Sequence, residues 1–388
     1  MEFGKLNREQ QTVFTLLKEI RDICRKNDIV YFLSPKLALY GTVQGCVPDS
    51  PGGEIIIKDS DMERFRKATE QEIRKDRALE SLENNPNFPG LFLRYEDKNT
   101  VCFRMNDGYY RYPGIGINIY PIRQRADSRT ENIMLRCLES GWQQLCNVRR
   151  EYDWKAKLCR VPVTIMAATG RKRTGKWIFH KYCNARRTEE VQECLLRIGT
   201  KTVRYPSELF FQIRRINLKG EEFNVPEDTD TYLSLWYGSN YEQKVQDKFD
   251  KSMTILVSTR ISCEEFREKF GTLDSFLKER KKQYKRNQRG KKNREYLDRC
   301  WTYVKMKGQG RNLSQKYLDR KEYILNLYHN EDFIRLEEEM QEYGNMMKRY
   351  LKYKEVYIPD PKLFEIYLKL PSVSENNGLL KKIKKAMK

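Results

Sequence analysis

Residues 29–65 constrain the fold of this chain more than any other stretch. An apolar run at 29–33 leads through a segment rich in proline and glycine to a second apolar run at 54–58. The Asp-Ser-Asp sequence at 59–61 is typical of a helix N-cap. The pattern therefore predicts strand, loop, strand and helix. A phosphoryl-transfer site can be built on such a frame, because the ends of adjacent strands can hold carboxylates close enough to share a divalent metal.

The acidic residues around this frame are few. Asp49 and Glu54 flank a Ser-Pro-Gly-Gly sequence, and the second apolar run contains no Asp-x-Asp pair. Carboxylate oxygens are the protein ligands that Mg²⁺ favours. A metal site built on this frame would therefore depend on very few charged ligands.

Hydrophobic spacing predicts further elements along the chain. Apolar residues at three- and four-residue spacings predict helices at 8–26, 61–82 and 131–152. Alternating side chains predict strands at 91–96, 100–105 and 114–123. The Asn-Asp-Gly sequence at 106–108 predicts a hairpin turn that leads from the strand at 100–105 into residues 109–112.

Two parts of the chain resemble the LicD family, which comprises phosphocholine and phospho-sugar transferases of nucleotidyltransferase type, with fukutin as a distant relative. The first, at 16–65, contains LLKEIRDICRKNDIVYFL, GTVQGCVP and a strand that leads into DMERF. The second, at 205–241, contains an aromatic-Pro segment, a strand with a Gly turn, V-P-x-D, and Y-L followed by Y-G, in the family order. The resemblance covers residues 8–245, about three-fifths of the chain.

The resemblance implies an α+β fold with a nucleotidyltransferase-like mixed sheet flanked by helices. It also implies transfer of a phospho-group, such as phosphocholine, from a nucleotide-activated donor onto a sugar of a cell-surface glycan. In such chemistry Mg²⁺ neutralises the diphosphate and carboxylates hold the metal. Glu54 alone stands at an acidic position of the family and is the expected metal ligand and catalytic carboxylate. Asp49 and Asn118 are the expected substitutes, because the implied fold brings them near it.

Most acidic positions of the family pattern are not acidic in this chain. They carry Ser50, Pro51, Gly52, Asn118, Arg123 and Ser239. Asn can orient a substrate or coordinate a metal through its carbonyl oxygen, but it contributes no charge. A second hypothesis is therefore a catalytically silent protein of LicD fold that acts as a binding or scaffold partner in glycan assembly.

The chain carries 75 Lys and Arg against 54 Asp and Glu, a formal net charge of +21. An anionic partner is therefore expected, either a nucleotide-linked substrate, an acidic membrane surface or nucleic acid. The chain contains no RNA-recognition motif, which argues against nucleic acid. The expected place of action is the cytoplasm, with peripheral association at the inner face of the membrane.

The sequence predicts a LicD-like domain at 1–245 and a basic helical extension at 246–388. Ten of the seventeen residues at 278–294 are basic, which indicates either solvated helices or an anion-binding patch. The candidate residues of that patch are Lys281, Lys282, Lys285 and Arg286. The tail at 378–388 has one apolar side, which suits either a membrane-surface helix or a solvated end. Its candidate membrane-binding residues are Lys381, Lys382, Lys384 and Lys385.

Several kinds of site are excluded by what the sequence lacks. The ten cysteines form no C-x-x-C pair, so neither a zinc site nor a disulfide framework is expected, and reducing cytosol is the simplest compartment. Two histidines cannot build a histidine-rich metal site. No stretch approaches the ~18 apolar residues of a membrane span. The GRKRTGKW sequence has the spacing of a phosphate-binding loop, but Trp177 stands where that loop needs a hydroxyl, so a basic turn is predicted instead.

Overall fold

The computed structural model describes residues 6–86, 88, 90–104, 114–146, 154–184, 193–199, 201–246, 255–270 and 289–387. Over these residues the protein is α+β, and the chain divides into two compact units, Met1–Asn287 and Gln288–Lys388. The described strands all lie in the first unit, whereas the described part of the second unit is helical.

Helix α1, Arg8–Lys26, opens the first unit and confirms the predicted bounds. Asn7 and Gln10 form a capping box. Oδ1 of Asn7 accepts a hydrogen bond from the N–H of Gln10 at 2.8 Å, and Oε1 of Gln10 accepts one from the N–H of Asn7 at 3.1 Å. The apolar residues of α1 are buried along one side of the helix, which packs on the sheet. Strand β1, Tyr31–Leu33, follows.

The segment after β1 is a helix, so the loop predicted there is wrong over these residues. Helix α2, Pro35–Gln44, begins after Ser34, whose Oγ accepts a hydrogen bond from the N–H of Leu37 at 3.4 Å. Serine is a favoured N-cap, and proline fits the first helical turn because its missing N–H has no partner there. The helix ends at Gly45, which adopts the left-handed conformation (φ 59°).

The next elements carry the chain through the main sheet. They are strand β2, Gly52–Lys58; a 3₁₀ turn, Asp59–Asp61; helix α3, Met62–Glu72; and strands β3, Arg77–Glu80, β4, Leu93–Asp97, β5, Val101–Arg104, and β6, Ile115–Gln124. The strands predicted at these places are confirmed to within a few residues. The predicted turn at 106–108 lies outside the described residues.

The helix predicted at 61–82 is too long. Helix α3 ends at Glu72, because the next residue, Ile73, turns into an extended conformation (ψ 128°). Strand β3 then begins at Arg77, whose side chain is buried and paired with carboxylates. The charged sequence at 61–82 therefore predicts one surface helix, although its residues 77–80 form a buried strand of the sheet.

The main sheet has the strand order β1-β2-β6-β4-β3. Strands β2 and β6 are parallel, and the other neighbours on this path are antiparallel. Glu54 of β2 lies directly opposite Asn118 of β6. The prediction of one mixed sheet that contains both residues, with α1 packed on it, is confirmed.

Three helices follow β6: α4, Arg129–Cys146, α5, Trp154–Ala168, and α6, Arg171–Cys183. The predicted helix at 131–152 is confirmed as far as residue 146. Helices α4 and α5 approach closely at Gly141, where an added Cβ would lie 2.3 Å from the backbone oxygen of Cys159. Val163 of α5 is fully buried at the same contact. These residues fix which side of α5 faces the rest of the unit.

The GRKRTGKW sequence forms the start of α6 and not a polar turn. Gly170 is the N-cap residue, and Gly175 lies inside the helix, where an added Cβ would lie 2.8 Å from the ring of Trp142. The apolar residues before it, at 163–168, form the end of α5 and not a strand. A phosphate-binding loop joins a strand to a helix, so the exclusion of that motif is confirmed.

The rest of the first unit consists of strands β7, Glu193–Ile198, β8, Lys201–Pro206, β9, Ile213–Leu218, and β10, Glu221–Pro226, helix α7, Thr229–Tyr237, strand β11, Ile255–Ser258, and helix α8, Cys263–Phe270. Strand β7 extends the main sheet by pairing with β6 and β8. Asp228 caps α7, with Oδ1 accepting from the N–H of Thr231 at 3.0 Å. Strand β11 pairs with β5, so the compact unit extends past residue 245, where the LicD-like domain is predicted to end.

The second unit is a group of helices with a tyrosine-rich core. Its helices are α9, Arg289–Asp319, α10, Lys321–His329, α11, Phe333–Glu339, α12, Gln341–Leu351, α13, Pro361–Lys369, α14, Pro371–Ser374, and α15, Asn377–Ala386. Buried tyrosine hydroxyls satisfy backbone groups: Tyr343 donates to the carbonyl oxygen of Tyr357 at 3.0 Å, and Tyr317 donates to that of Glu339 at 2.8 Å. Across the described parts of both units, no helix is long and apolar enough to cross a membrane.

We expect Gly141→Ala to destabilise the first unit. The added methyl group would overlap the backbone of α5, and such overpacking costs about 1–3 kcal/mol. That cost exceeds the roughly 1 kcal/mol that alanine gains over glycine in a helix. Urea unfolding followed by circular dichroism measures the change. Ile133→Ala, at an exposed position of the same helix, is the control and should change stability by less than about 0.5 kcal/mol. Equal stability of Gly141→Ala and the wild type would contradict the packing described.

Candidate polar site on the central sheet

Four polar residues form a row across the middle of the main sheet. Glu54 on β2 lies opposite Asn118 on β6, Asn118 lies opposite Arg94 on β4, and Arg94 lies opposite Glu80 on β3. Directly paired residues of neighbouring strands have side chains on the same face, about 5 Å apart. The central row, as we call these four residues, is therefore a continuous polar line on one face of the sheet. Glu80 and Arg94 are buried, whereas Glu54 and Asn118 are half-buried.

The Arg94 guanidinium is held in the central row by three hydrogen bonds. Nη1 donates to Oδ1 of Asn118 at 2.9 Å, Nε donates to Oε2 of Glu96 at 3.0 Å, and Nη2 donates to the carbonyl oxygen of Gly114 at 2.8 Å. Planar guanidinium groups suit this kind of fixed, multiple contact. Arg94 therefore brings a permanent positive charge to the side chain of Asn118.

A glycine makes room for this guanidinium. An added Cβ on Gly116 of β6 would lie 2.9 Å from Cζ of Arg94 and 2.9 Å from Cβ of Glu96. Real Cβ atoms do not approach other atoms so closely without a shift of the neighbour. Gly116 thus leaves the space that Arg94 and Glu96 of the adjacent strand occupy.

Glu96 is the buried counter-charge of Arg94. Burial raises the pKa of Glu96 strongly, and the carboxylate of Glu80 raises it further, while Arg94 lowers it. Oε1 of Glu96 has no hydrogen-bond partner among the described residues. Oε2 of Glu80 accepts a hydrogen bond from the side chain of Asn85 at 3.2 Å. Arg94 thus pairs with Glu96 beside a second buried carboxylate, Glu80, while the desolvation of Glu96 favours its protonated form.

Glu54 lies at the other end of the row, beside the aromatic residues of α7. Its carbonyl oxygen accepts a hydrogen bond from the N–H of Ser34 at 3.1 Å, which ties β2 to the start of α2. Burial raises the pKa of Tyr237, and the nearby carboxylate of Glu54 raises it further. Tyr232 of the same helix donates its hydroxyl to the carbonyl oxygen of Leu33 at 3.0 Å. Glu54 is therefore flanked by tyrosines that remain neutral.

The other sequence-predicted site residues are placed differently. Asp49 is not part of the central row, since its Oδ1 accepts a hydrogen bond from Nδ2 of Asn7 at 2.8 Å, at the N-terminus of α1. Arg123, at another acidic position of the family, is buried. Its guanidinium contacts Oδ1 of Asn132 at 3.3 Å and lies 5.3 Å from the ring centre of Tyr182. Its contacts are therefore with α4 and α6 and not with the row.

The central row does not offer Mg²⁺ the ligands that the ion favours. Glu54 contributes a half-buried carboxylate to the row. The amide oxygen of Asn118 already accepts a hydrogen bond from the Arg94 guanidinium. Mg²⁺ requires hard oxygen ligands in near-octahedral geometry, and a neighbouring guanidinium repels it. Among the described residues, no group of three or more His, Cys, Asp or Glu side chains could hold a metal.

A cavity of about 400 Å³ lies between α3, α6 and the ends of β3 and β4. Its lining combines charges of both signs with apolar residues. The charged residues include Asp59, Glu63, Glu83, Arg66 and Lys176. Two ion pairs, Arg66 with Glu63 and Lys176 with Glu83, lie within this set. Arg66 also lowers the pKa of Glu63.

The basic residues predicted to bind anions fall into two groups. Lys281, Lys282, Lys285 and Arg286 lie outside the described residues. Lys381, Lys382, Lys384 and Lys385 are exposed on α15. Ile383, at the centre of the apolar side of that helix, is buried within the second unit. Packing within the unit therefore already uses part of the side that a membrane-surface helix would need.

No protein-family model matches this chain, and no curated protein matches it.

Sequence reasoning missed Arg94, which bonds Asn118, as well as Glu96, which pairs with Arg94, and Glu80, which lies opposite Arg94. A signal for them was present, because the predicted strand at 91–96 carries both Arg94 and Glu96 in a mostly apolar stretch. Charged residues in a central strand are buried only when they are paired. The partner across the sheet, Glu80, was hidden because its strand was predicted as the end of a helix.

We expect Arg94→Met to destabilise the protein by about 3–5 kcal/mol at neutral pH, because it leaves Glu96 buried without its counter-charge. The folded-state pKa of Glu96 is raised above its unfolded value, so the protonated group stabilises the fold below pH 4.5 and this contribution is lost as pH rises. The loss of unfolding free energy caused by Arg94→Met should therefore be smallest near pH 4.5 and grow toward pH 8. Urea unfolding across this range measures it. Arg74→Met, an exposed ion-pair residue on the turn before β3, should cost less than about 1 kcal/mol at every pH. A pH-independent defect in Arg94→Met would contradict the role given to Glu96.

Proposed function

We propose that this chain is a LicD-type protein that has kept the nucleotidyltransferase-type sheet and lost metal-dependent phosphoryl transfer. It acts instead as a binding or scaffold partner in the assembly of a cell-surface glycan. The observation that carries the proposal is the Arg94 guanidinium, which is bonded to Asn118 in the row where the resemblance implies a metal held by carboxylates.

The argument is electrostatic. A phosphoryl-transfer site of this kind works by stabilising negative charge with a metal that carboxylates position. In the central row one carboxylate, Glu54, faces an amide that is already bonded to a cation. A second cation close to the fixed guanidinium raises the electrostatic energy, more so in a half-buried setting than in water. Arg94 cannot turn away without leaving the buried carboxylate of Glu96 unpaired.

The proposed binding role draws support from the cavity beside α3 and α6. Small-molecule sites are clefts of about 300–1,000 Å³ that combine apolar walls with a few placed polar groups. The cavity has this size, and Met62 and Phe92 contribute apolar walls next to its charged residues. A nucleotide-activated sugar intermediate or a glycan fragment is the proposed ligand class, and the inner face of the membrane is the proposed place of action.

An active phosphotransferase is the second candidate. The observation that favours it is the pairing of Glu54 with Asn118, which the resemblance implies at the centre of such a site. In this candidate Glu54 is the most sensitive carboxylate, because it alone stands at an acidic position of the family. Replacement by glutamine keeps its shape and removes its charge.

Isothermal titration with Mg²⁺ and CTP separates the two candidates. For the binding protein we expect no heat from Mg²⁺ alone and no gain in CTP affinity when Mg²⁺ is present, since the row supplies too few anionic ligands. Glu54→Gln should then behave like the wild type, as should the control Glu222→Gln, at an exposed position of the β9–β10 hairpin. Mg²⁺-dependent CTP binding that Glu54→Gln abolishes and Glu222→Gln preserves would reject the proposal and favour the transferase.

A restored carboxylate tests whether Arg94 is the obstacle. Asn118→Asp alone should not bind Mg²⁺, because the new carboxylate would pair with Arg94. The variant Arg94→Gln/Glu96→Gln/Asn118→Asp removes the guanidinium and its counter-charge together and leaves two carboxylates about 5 Å apart across β2 and β6. We expect this variant to bind Mg²⁺ with a Kd on the order of millimolar, measured by titration calorimetry. Equal Mg²⁺ binding by the single and triple variants would show that Arg94 does not block the site.

A further inference from the structure

Helix α5 carries an apolar stripe that faces away from the unit to which it belongs. Leu158, Val161 and Ile165 are 59%, 57% and 66% exposed. Their i, i+3, i+7 spacing places them on one side of the helix. Pro162 and Ala168, also exposed, lie on the same side and extend the stripe over about three turns. We call this set the α5 stripe.

The opposite side of α5 is already used for packing. Val163 is fully buried, and the backbone of Cys159 lies against Gly141 of α4 at a distance that only a glycine allows. The direction of the α5 stripe is therefore fixed by a close helix contact. Rotating α5 to bury the stripe would break that contact.

The Asp, Glu, Lys and Arg positions of α5 and α6 carry charge of one sign only. From residue 154 to residue 184 the sequence contains eight Lys and Arg and no Asp or Glu. Helix α6 begins just after the stripe ends, and its start is tied to α5 because Oγ1 of Thr174 donates to the carbonyl oxygen of Met166 at 2.9 Å. Lys172 and Arg173, in the first turn of α6, are exposed. An exposed apolar stripe thus lies next to exposed basic residues, in a stretch without acids.

We propose that the α5 stripe and the first turn of α6 form a surface that lies on an anionic lipid membrane. Helices at a bilayer interface combine an apolar side, which enters the acyl boundary, with basic residues, which pair with lipid phosphates. The absence of acids over thirty-one residues matches a negatively charged surface better than a neutral one. This surface is distinct from the C-terminal helix α15, whose central apolar residue Ile383 is buried. The inference does not depend on whether the protein is a transferase or a binding partner.

Sedimentation of the full chain with lipid vesicles tests the proposal. We expect binding to phosphatidylcholine vesicles that contain one-third phosphatidylglycerol, and at least tenfold weaker binding to pure phosphatidylcholine. Binding should weaken as salt rises, because the screening length falls from about 10 Å at 0.1 M to about 3 Å at 1 M. Wild-type protein that does not bind the anionic vesicles would overturn the proposal.

Matched variants assign the binding to this surface. Ile165→Ser should weaken anionic-vesicle binding on the order of tenfold, whereas Ile334→Ser, at a 78% exposed isoleucine of the second unit, should leave it unchanged. Lys172→Ala/Arg173→Ala should weaken binding by about fivefold per residue, and Lys381→Ala/Lys382→Ala on α15 should not. Leu158→Ser provides a second apolar test, and thermal melts establish that each variant is folded.

Two results would show that the α5 stripe is not the membrane-binding surface. If the α15 variant loses binding and Ile165→Ser keeps it, the tail is the membrane-binding element and the proposal is wrong. If size-exclusion chromatography shows a wild-type dimer that Ile165→Ser separates, with vesicle binding unchanged, the stripe joins two copies of the chain and the proposal is equally wrong.

Discussion

The pairing of Arg94 with the buried carboxylate of Glu96 is the interaction on which the middle of the sheet depends. Each charge would be costly alone in the interior, and together they are tolerated because hydrogen bonds satisfy the guanidinium on three sides. The surrounding sequence is adapted to the pair. Gly116 leaves space for the guanidinium, and Asn85 bonds the second carboxylate, Glu80. The positive charge at the centre of the row is thus a consequence of folding, because the buried carboxylate of Glu96 needs Arg94 as its partner.

The strand order explains why the pair of Arg94 and Glu96 determines the electrostatic surroundings of Asn118. β4 and β6 are neighbours, so a charged residue of β4 reaches the strand where the LicD resemblance implies acids. β2 lies on the far side of β6 and contributes Glu54 to the same row. The side chains that control the properties of Asn118 therefore come from strands on both of its sides. Local sequence around Asn118 does not reveal them.

The sequence predicted those parts of the fold whose signals are local. Helix α1 has a capping box and a regular apolar side, and its bounds were predicted to the residue. Strands β2, β4, β5 and β6 carry alternating or consecutive apolar residues, and the sequence predicts all four. The errors arose where tertiary contacts override local signals. Strand β3 is rich in charge and follows a helix, so only its pairing with β4 shows that it is a strand. The central row was half predicted, because Glu54 and Asn118 stand in recognised motifs and Arg94 does not.

The buried pair also constrains how this protein could change by mutation. Starting from the present chain, Asn118→Asp alone would add a carboxylate that Arg94 neutralises, and loss of Arg94 alone would leave a buried charge that costs several kcal/mol. A domain whose total stability is about 5–15 kcal/mol can rarely bear such a step. Single substitutions are therefore either silent or harmful, and only their combination alters the site. The effects of substitutions at Arg94, Glu96 and Gly116 therefore depend on one another. No single substitution changes the chemistry of this sheet without a loss of stability.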